Sequence, residues 1–234
     1  MASGAHLSWV SLALASAACT TARHCIVKYR CRETPPETLV FSTRLIGALT
    51  LAPAALSRGV HIGDARVFWP FAAVTIVITA GATILQIDVI QKETLSRSVP
   101  FLSFIPIFMI PWTALLFGEY PSPGALAGIA AACIGAWLLN CRRGEHPLTP
   151  LKSALSYRGS RLMLGVALAL GLTTACDKAA IGASSGITYA FVWAAISTVV
   201  MGALAARRGV RRAGAALLDR SVILQAALWA AAFG

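Results

Sequence analysis

The stretch that decides the fold is Ser98–Asn140, SVPFLSFIPIFMIPWTALLFGEYPSPGALAGIAAACIGAWLLN. Two long apolar runs are parted by one carboxylate, Glu119, and a turn rich in proline. Each run carries no charge over roughly 20 residues, the length a helix needs to cross the hydrocarbon core of a bilayer. The first run is also loaded with prolines at 100, 106 and 111, which a water-soluble core helix avoids.

Working outward, the same signal recurs. Val67–Ile87 and Ala179–Ala206 are further uncharged stretches of spanning length. Of the 234 residues, 57% are hydrophobic and 12% charged, and the mean hydropathy is +0.73. Soluble domains carry about 25% charged residues, so the composition is that of a membrane protein. Segments this long are helices rather than barrel strands. Eight apolar segments emerge, at 7–27, 38–57, 67–89, 98–118, 122–140, 161–180, 184–205 and from 221 onward. The first has the length of a signal-peptide core, but no basic region precedes it, and it reads as a first transmembrane helix.

The connections are short except at Arg142–Ser160 and Ala206–Arg220. RRGEHPLTPLKSALSYRGS (142–160) reads as a basic linker between two halves, with room for a short amphipathic surface helix. The halves resemble each other. TTA at 20–22 recurs at 173–175, ETLVFSTRLIGAL (37–49) aligns with GITYAFVWAAIST (186–198), and ALSRG (55–59) aligns with AARRG (205–209). A five-helix repeat inverts its second copy in the membrane, a plan that recurs in transporters. The expected fold is therefore an all-α polytopic membrane protein of two inverted five-helix repeats. The first repeat spans 1–141, the linker 142–160, and the second, incomplete at about two and a half helices, 161–234. The chain reads as truncated, with a second Gly-Glu pair expected near position 269 of a longer product.

The +11 net charge is no nucleic-acid signature, because the basic residues lie between spans and face anionic lipid. Arg23, Lys28, Arg30, Arg32, Lys92, Arg97, Arg142, Arg143, Lys152, Arg158, Arg161, Arg207, Arg208, Arg211, Arg212 and Arg220 follow odd-numbered spans. Only Arg58, Arg66 and Lys178 follow even-numbered ones. The positive-inside rule then puts the N-terminus outside. The six cysteines (19, 25, 31, 133, 141, 176) form no CxxC pair and read as small apolar filler, and the four histidines are scattered, so no metal or other cofactor is expected. No P-loop, HExxH, GxSxG or dinucleotide fingerprint is present, so the chain is not expected to be an enzyme.

Residues 98–140 resemble the EamA family of the drug/metabolite transporter superfamily. Its fourth helix carries a mid-helix proline, matched by Pro106. Its helix four–five boundary carries a Gly-Glu pair, matched by Gly118 and Glu119 with Pro121 and Ser122. Its fifth helix carries spaced glycines, matched by Gly124, Gly128 and Gly135. ETLVFSTRLIGAL resembles the second helix with its frequent arginine, Arg44, and DKAAIGASSGITYAF (177–191) resembles a sixth-to-seventh helix junction. The resemblance implies a ten-helix secondary transporter of the bacterial inner membrane, moving small metabolites or drug-like solutes by alternating access. Two features depart from it: fewer C-terminal helices, and an N-terminus placed outside where many members have it inside. A homodimer, or the missing helices, would complete the bundle. The alternative is a non-transporting scaffold subunit or an inactive fragment.

The candidate residues follow. Arg44, some turns into span two, either snorkels or binds an anionic group. Asp88 has Lys92 four residues on, and Asp177 has Lys178 beside it; both read as local ion pairs, with proton coupling as the other role. Pro106 and Pro111 interrupt helix four, kinking it and exposing polar backbone near Ser103 and Thr113. Trp112 and Tyr189 are candidates for a pocket wall. Glu119 marks a surface turn after Gly118, where it caps the next helix or pairs with a basic group as the halves rock. Gly124 and Gly128 form a GxxxG that permits close helix approach.

Overall fold

The computed structural model describes residues 2–140, 156–207 and 219–233. The linker residues up to 155, including Arg142, Arg143 and Lys152 and the surface helix read there, lie outside the described residues, as do Arg208, Arg211 and Arg212. Among the described residues all regular structure is helical: α1 (Ala2–Tyr29), α2 (Pro36–Arg58), α3 (Ala65–Lys92), a single turn α4 (Leu95–Ser98), a 3-10 segment (Val99–Phe104), α5 (Ile105–Phe117), α6 (Pro123–Asn140), α7 (Arg158–Gly182), α8 (Gly186–Arg207) and α9 (Arg220–Phe233). Each of the eight apolar segments forms a helix. Six are long and apolar enough to span a bilayer: Val10–Tyr29, Pro36–Arg58, Ala65–Lys92, Val99–Phe117, Arg158–Gly182 and Gly186–Arg207. The apolar part of α6, Pro123–Leu138, is shorter. The molecule is an all-α, multi-spanning integral membrane protein.

Local chemistry sets the helix ends. The Asp64 carboxylate accepts the Arg66 and Val67 amides at 2.9 and 3.4 Å and starts α3. Ser122 Oγ accepts the Ala125 amide at 3.2 Å and starts α6, so the capping role open to Glu119 belongs to Ser122. Asp219 accepts the Ser221 amide at 2.7 Å and starts α9. Gly118 ends α5 in the left-handed conformation, φ 66°, where a side chain is strained. Inside the spans, hydroxyls bond to carbonyls three or four residues back, as Thr43 to Val40, Thr83 to Thr79 and Thr198 to Ala194 at 2.6–2.7 Å, so these donors are satisfied within their own helices.

The prolines act differently from a simple mid-helix kink. Pro100 and Pro106 sit in the first turns of the 3-10 segment and of α5, where a missing amide costs least, and Pro111 alone lies inside α5. The fourth span is therefore a 3-10 segment joined to an α-helix at Pro106.

Polarity is distributed as a bilayer demands. Leu12, Val77, Leu115 and Val199 stand exposed, while Arg23, Ser42, Thr43, Arg44, Thr173 and Gln225 are buried. The chain forms two compact units. The central unit is Ile62–Ser184 and the terminal unit joins 1–61 to 185–234. In the central unit α7 packs on α3, on α5 and on the 3-10 segment, and the Gly63 and Asp64 amides bond to Ala183 O at 2.9 and 3.1 Å. Gly171 makes the approach to α5 possible: a Cβ there would meet Phe108 Cβ at 2.8 Å and the Phe108 and Met109 backbone at 2.9 and 3.0 Å. In the terminal unit α2 packs on α8, and α9 packs on both α1 and α2.

Candidate functional site

The terminal unit holds the most polar buried cluster. Arg44 on α2 is 4% exposed, and its guanidinium carbon lies 4.0 Å from the centre of one Trp193 ring and 5.0 Å from that of Trp229. The two indoles are 6.3 Å apart and 25° from parallel, so the planar cation lies against both. Desolvated cation–π contacts are worth about 2 kcal/mol, and a guanidinium stacks where an ammonium cannot. Gly47, one turn beyond Arg44, makes room for this: a Cβ there would meet the Trp229 ring at 2.7 Å.

The cluster lies deep. Phe41 near the start of α2 meets Gly202 near the end of α8, so the two helices run antiparallel. Arg44 is about 12 Å along α2 from its start, and Trp193 about 10 Å along α8 from its opposite-facing start. Tyr189, one turn before Trp193, is buried. Trp193 Nε1 is a buried donor that finds no hydrogen-bond partner among the described residues, an arrangement native proteins rarely leave unanswered.

Below it, Arg23 on α1 is 6% exposed. Its Nε donates to Gln225 Oε1 at 3.2 Å, and Gln225 Nε2 donates to Leu39 O at 3.2 Å and Ser42 Oγ at 2.9 Å. Three helices, α1, α2 and α9, are joined by this one amide. Arg23, counted from sequence among the cytoplasmic cations after the first span, is thus inside α1 and buried. Sequence reasoning missed Gln225, Trp229 and the role of Arg23; the available signal was a polar residue four positions before a tryptophan in the last apolar run.

The remaining candidates fall in the central unit, apart from Arg44 and Tyr189. Asp88 pairs with Lys92. Lys178 pairs with Glu119 rather than with its sequence neighbour Asp177, and lies 5.0 Å from the Phe117 ring centre. The pair is exposed and ties the α5–α6 turn to the end of α7; exposed pairs contribute under about 1 kcal/mol. Ser103, Pro106 and Trp112 are half-buried, and the Cys133 thiol of α6 lies 3.7 Å from Ser103 O. No neighbour lies within 4 Å of a Cβ built at Gly124 or Gly128, so the GxxxG face meets nothing among the described residues. Among the described residues no group of three or more His, Cys, Asp or Glu side chains could hold a metal ion.

Comparison with protein families matches residues 7–141 to the EamA-like transporter family. No curated protein and no solved structure matches the chain.

Proposed function

The chain belongs to the EamA-like transporter family, and from that premise we propose that it carries a small solute across the membrane as a secondary transporter, by alternating access at the Arg44 cluster. Its family is one of transporters, not enzymes. The observation that carries the proposal is the guanidinium held at membrane depth against two indoles, beside a Trp193 donor that meets no acceptor among the described residues. A cation placed there costs several kcal/mol without a polar role to offset it. Tyr189 lies one helical turn away as pocket wall; within the central unit taken by itself, Ser103, Pro106, Trp112, Asp88 and Asp177 are the residues we propose for solute contact or coupling.

Two inverted repeats, 1–141 and 161–234 around the 142–160 linker, remain the organisation we favour. The helix partners support it. Under the repeat, α1 corresponds to α7 and α3 to α9, so the α3–α7 contact of the central unit corresponds to the α9–α1 contact of the terminal unit. In the aligned segments 37–49 and 186–198, Arg44 and Trp193 occupy equivalent positions, and they touch. Equivalent residues meet where a two-fold axis passes. The family resemblance favours a bacterial inner membrane, and the charge bias favours the end of α1 in the cytoplasm with anionic lipid at the basic loops. The driving force is the gradient of the solute or of protons.

The test is uptake. The full chain in proteoliposomes is exposed to a defined mixture of amino acids, organic acids and amphipathic drugs, and the lumen is read by mass spectrometry. We expect at least one solute to accumulate above protein-free vesicles, and Arg44→Ala to abolish it. Entry no greater than in protein-free vesicles would replace transport with the scaffold reading.

A further inference from the structure

Resting on that transport reading, we propose that the solute is an anion, a carboxylate or phosphate compound, and that Arg23 is the residue that binds its charge. Gln225 is the positioning residue. The case begins with the hydrogen-bond inventory. Arg23 spends its Nε on Gln225 Oε1, and no carboxylate among the described residues lies against it. Gln225, wholly buried, has both ends engaged: its oxygen by Arg23, its nitrogen by Leu39 O and Ser42 Oγ. The amide therefore fixes the guanidinium plane without neutralising it. The outer edge of the fork, the part that binds carboxylate and phosphate in pairs of hydrogen bonds, meets no acceptor among the described residues and is the edge we assign to the ligand.

Gln225 and Trp229 are one turn apart on the same face of α9. Arg23 answers the first and Arg44 the second, so two cations line one strip of that helix, about one turn apart. Trp193 Nε1 adds a third donor group beside the upper cation. A site offering guanidinium and indole N–H groups suits a ligand rich in acceptors. The buried carboxylate of this unit, Glu37, sits in the first turn of α2, where the helix N-terminus favours a negative charge.

The fold itself does not call for Arg23. On the TTA alignment, the position of Arg23 in α1 is taken in α7 by Cys176. The corresponding helix pair, α7 on α3, packs with that small thiol buried and no cation there.

The full chain in phosphatidylcholine nanodiscs is titrated with inorganic phosphate and, separately, with sodium benzoate at constant ionic strength. Tetramethylammonium chloride is the cationic control, and tryptophan emission is the readout. We expect a saturable change with at least one of the two anions and none with the cation. Arg23→Gln should raise the apparent Kd about tenfold or more, the worth of a charged hydrogen-bonded contact. Arg23→Lys, which keeps the charge but not the fork, should raise it less, and it carries the test if Arg23→Gln melts early. No saturable response to either anion, or equal responses in wild type and a folded Arg23 variant, would overturn the assignment. The titration is repeated with phosphatidylglycerol in the disc. If that lipid alone shifts the emission in an Arg23-dependent way and the soluble anions no longer do, a headgroup occupies the site and the solute assignment falls. The uptake assay separates the two readings. Entry of only neutral or cationic solutes, with no anion response, removes the anion class and leaves transport; anion binding at Arg23 with no solute entry removes transport and leaves an anion site.

Discussion

Arg44 and Arg23 are both guanidiniums withdrawn from water, yet they are held by different chemistry, and substitution separates them. Arg44 rests on indole faces, so Arg44→Lys keeps the charge and loses the stacking. We expect a loss of about 1–2 kcal/mol, read as a melting temperature lower by a few degrees in nanodiscs. A melt equal to wild type would mean the indoles contribute packing alone. Cys31, between α1 and α2, makes a second case. Burial pushes its thiol up from 9.0 to about 11, with the Asp219 carboxylate adding to the effect. With the thiol held that high, its thiolate fraction at neutral pH falls about a hundredfold. In a variant keeping only Cys31, alkylation by iodoacetamide should be slow at pH 7, climb about tenfold per pH unit, and level off near 11. A plateau near 9 would contradict the buried placement. Arg44 was legible in the sequence as an ionisable residue at membrane depth. Arg23 was not, because a cation near a helix end reads the same whether it snorkels to a surface or turns inward; only Gln225, some 200 residues away in sequence, decides it.

At the level of elements, glycines report how closely helices approach. Gly171→Ala drives a methyl into the α5 backbone, which has no rotamer to yield, and should destabilise by about 2–3 kcal/mol. Gly202→Ala meets the Phe41 ring at 3.0 Å, and a ring can shift, so its cost should stay below about 1 kcal/mol. Gly124→Ala and Gly128→Ala enter open space and should be neutral within about 0.5 kcal/mol or slightly stabilising. The four melts, measured side by side in the same lipid, test the ordering; an equal loss at Gly124 would show a neighbour on that face. Helix positions were plain from the hydropathy, since a bilayer demands long apolar runs. The proline effects were less so. Sequence spacing says that an amide is missing, but not whether it is missing from a helix interior or from a first turn. Pro106 falls in the first turn because the residues before it wind as a 3-10 segment. Likewise Asp177 and Lys178 are adjacent in sequence but point to different sides of α7, and the lysine reaches Glu119.

For the whole molecule, the sequence suggests the repeat we propose, because copies would keep small-residue patterns such as TTA. Which helices become partners was not legible there, since hydropathy marks an inward face without naming what covers it. That α1 packs on α9 and α3 on α7 is a tertiary fact, and it is the pairing the proposed repeat requires. The most direct check uses two equivalent positions, Ser57 at the end of α2 and Arg207 at the end of α8. Single cysteines are placed at each, Ser57→Cys and Arg207→Cys, in a chain whose own cysteines are changed to serine. Intact cells are then treated with a membrane-impermeant maleimide. Inversion predicts that position 57 is labelled from outside while position 207 is labelled only after lysis. Labelling of both from the same side would contradict two inverted copies.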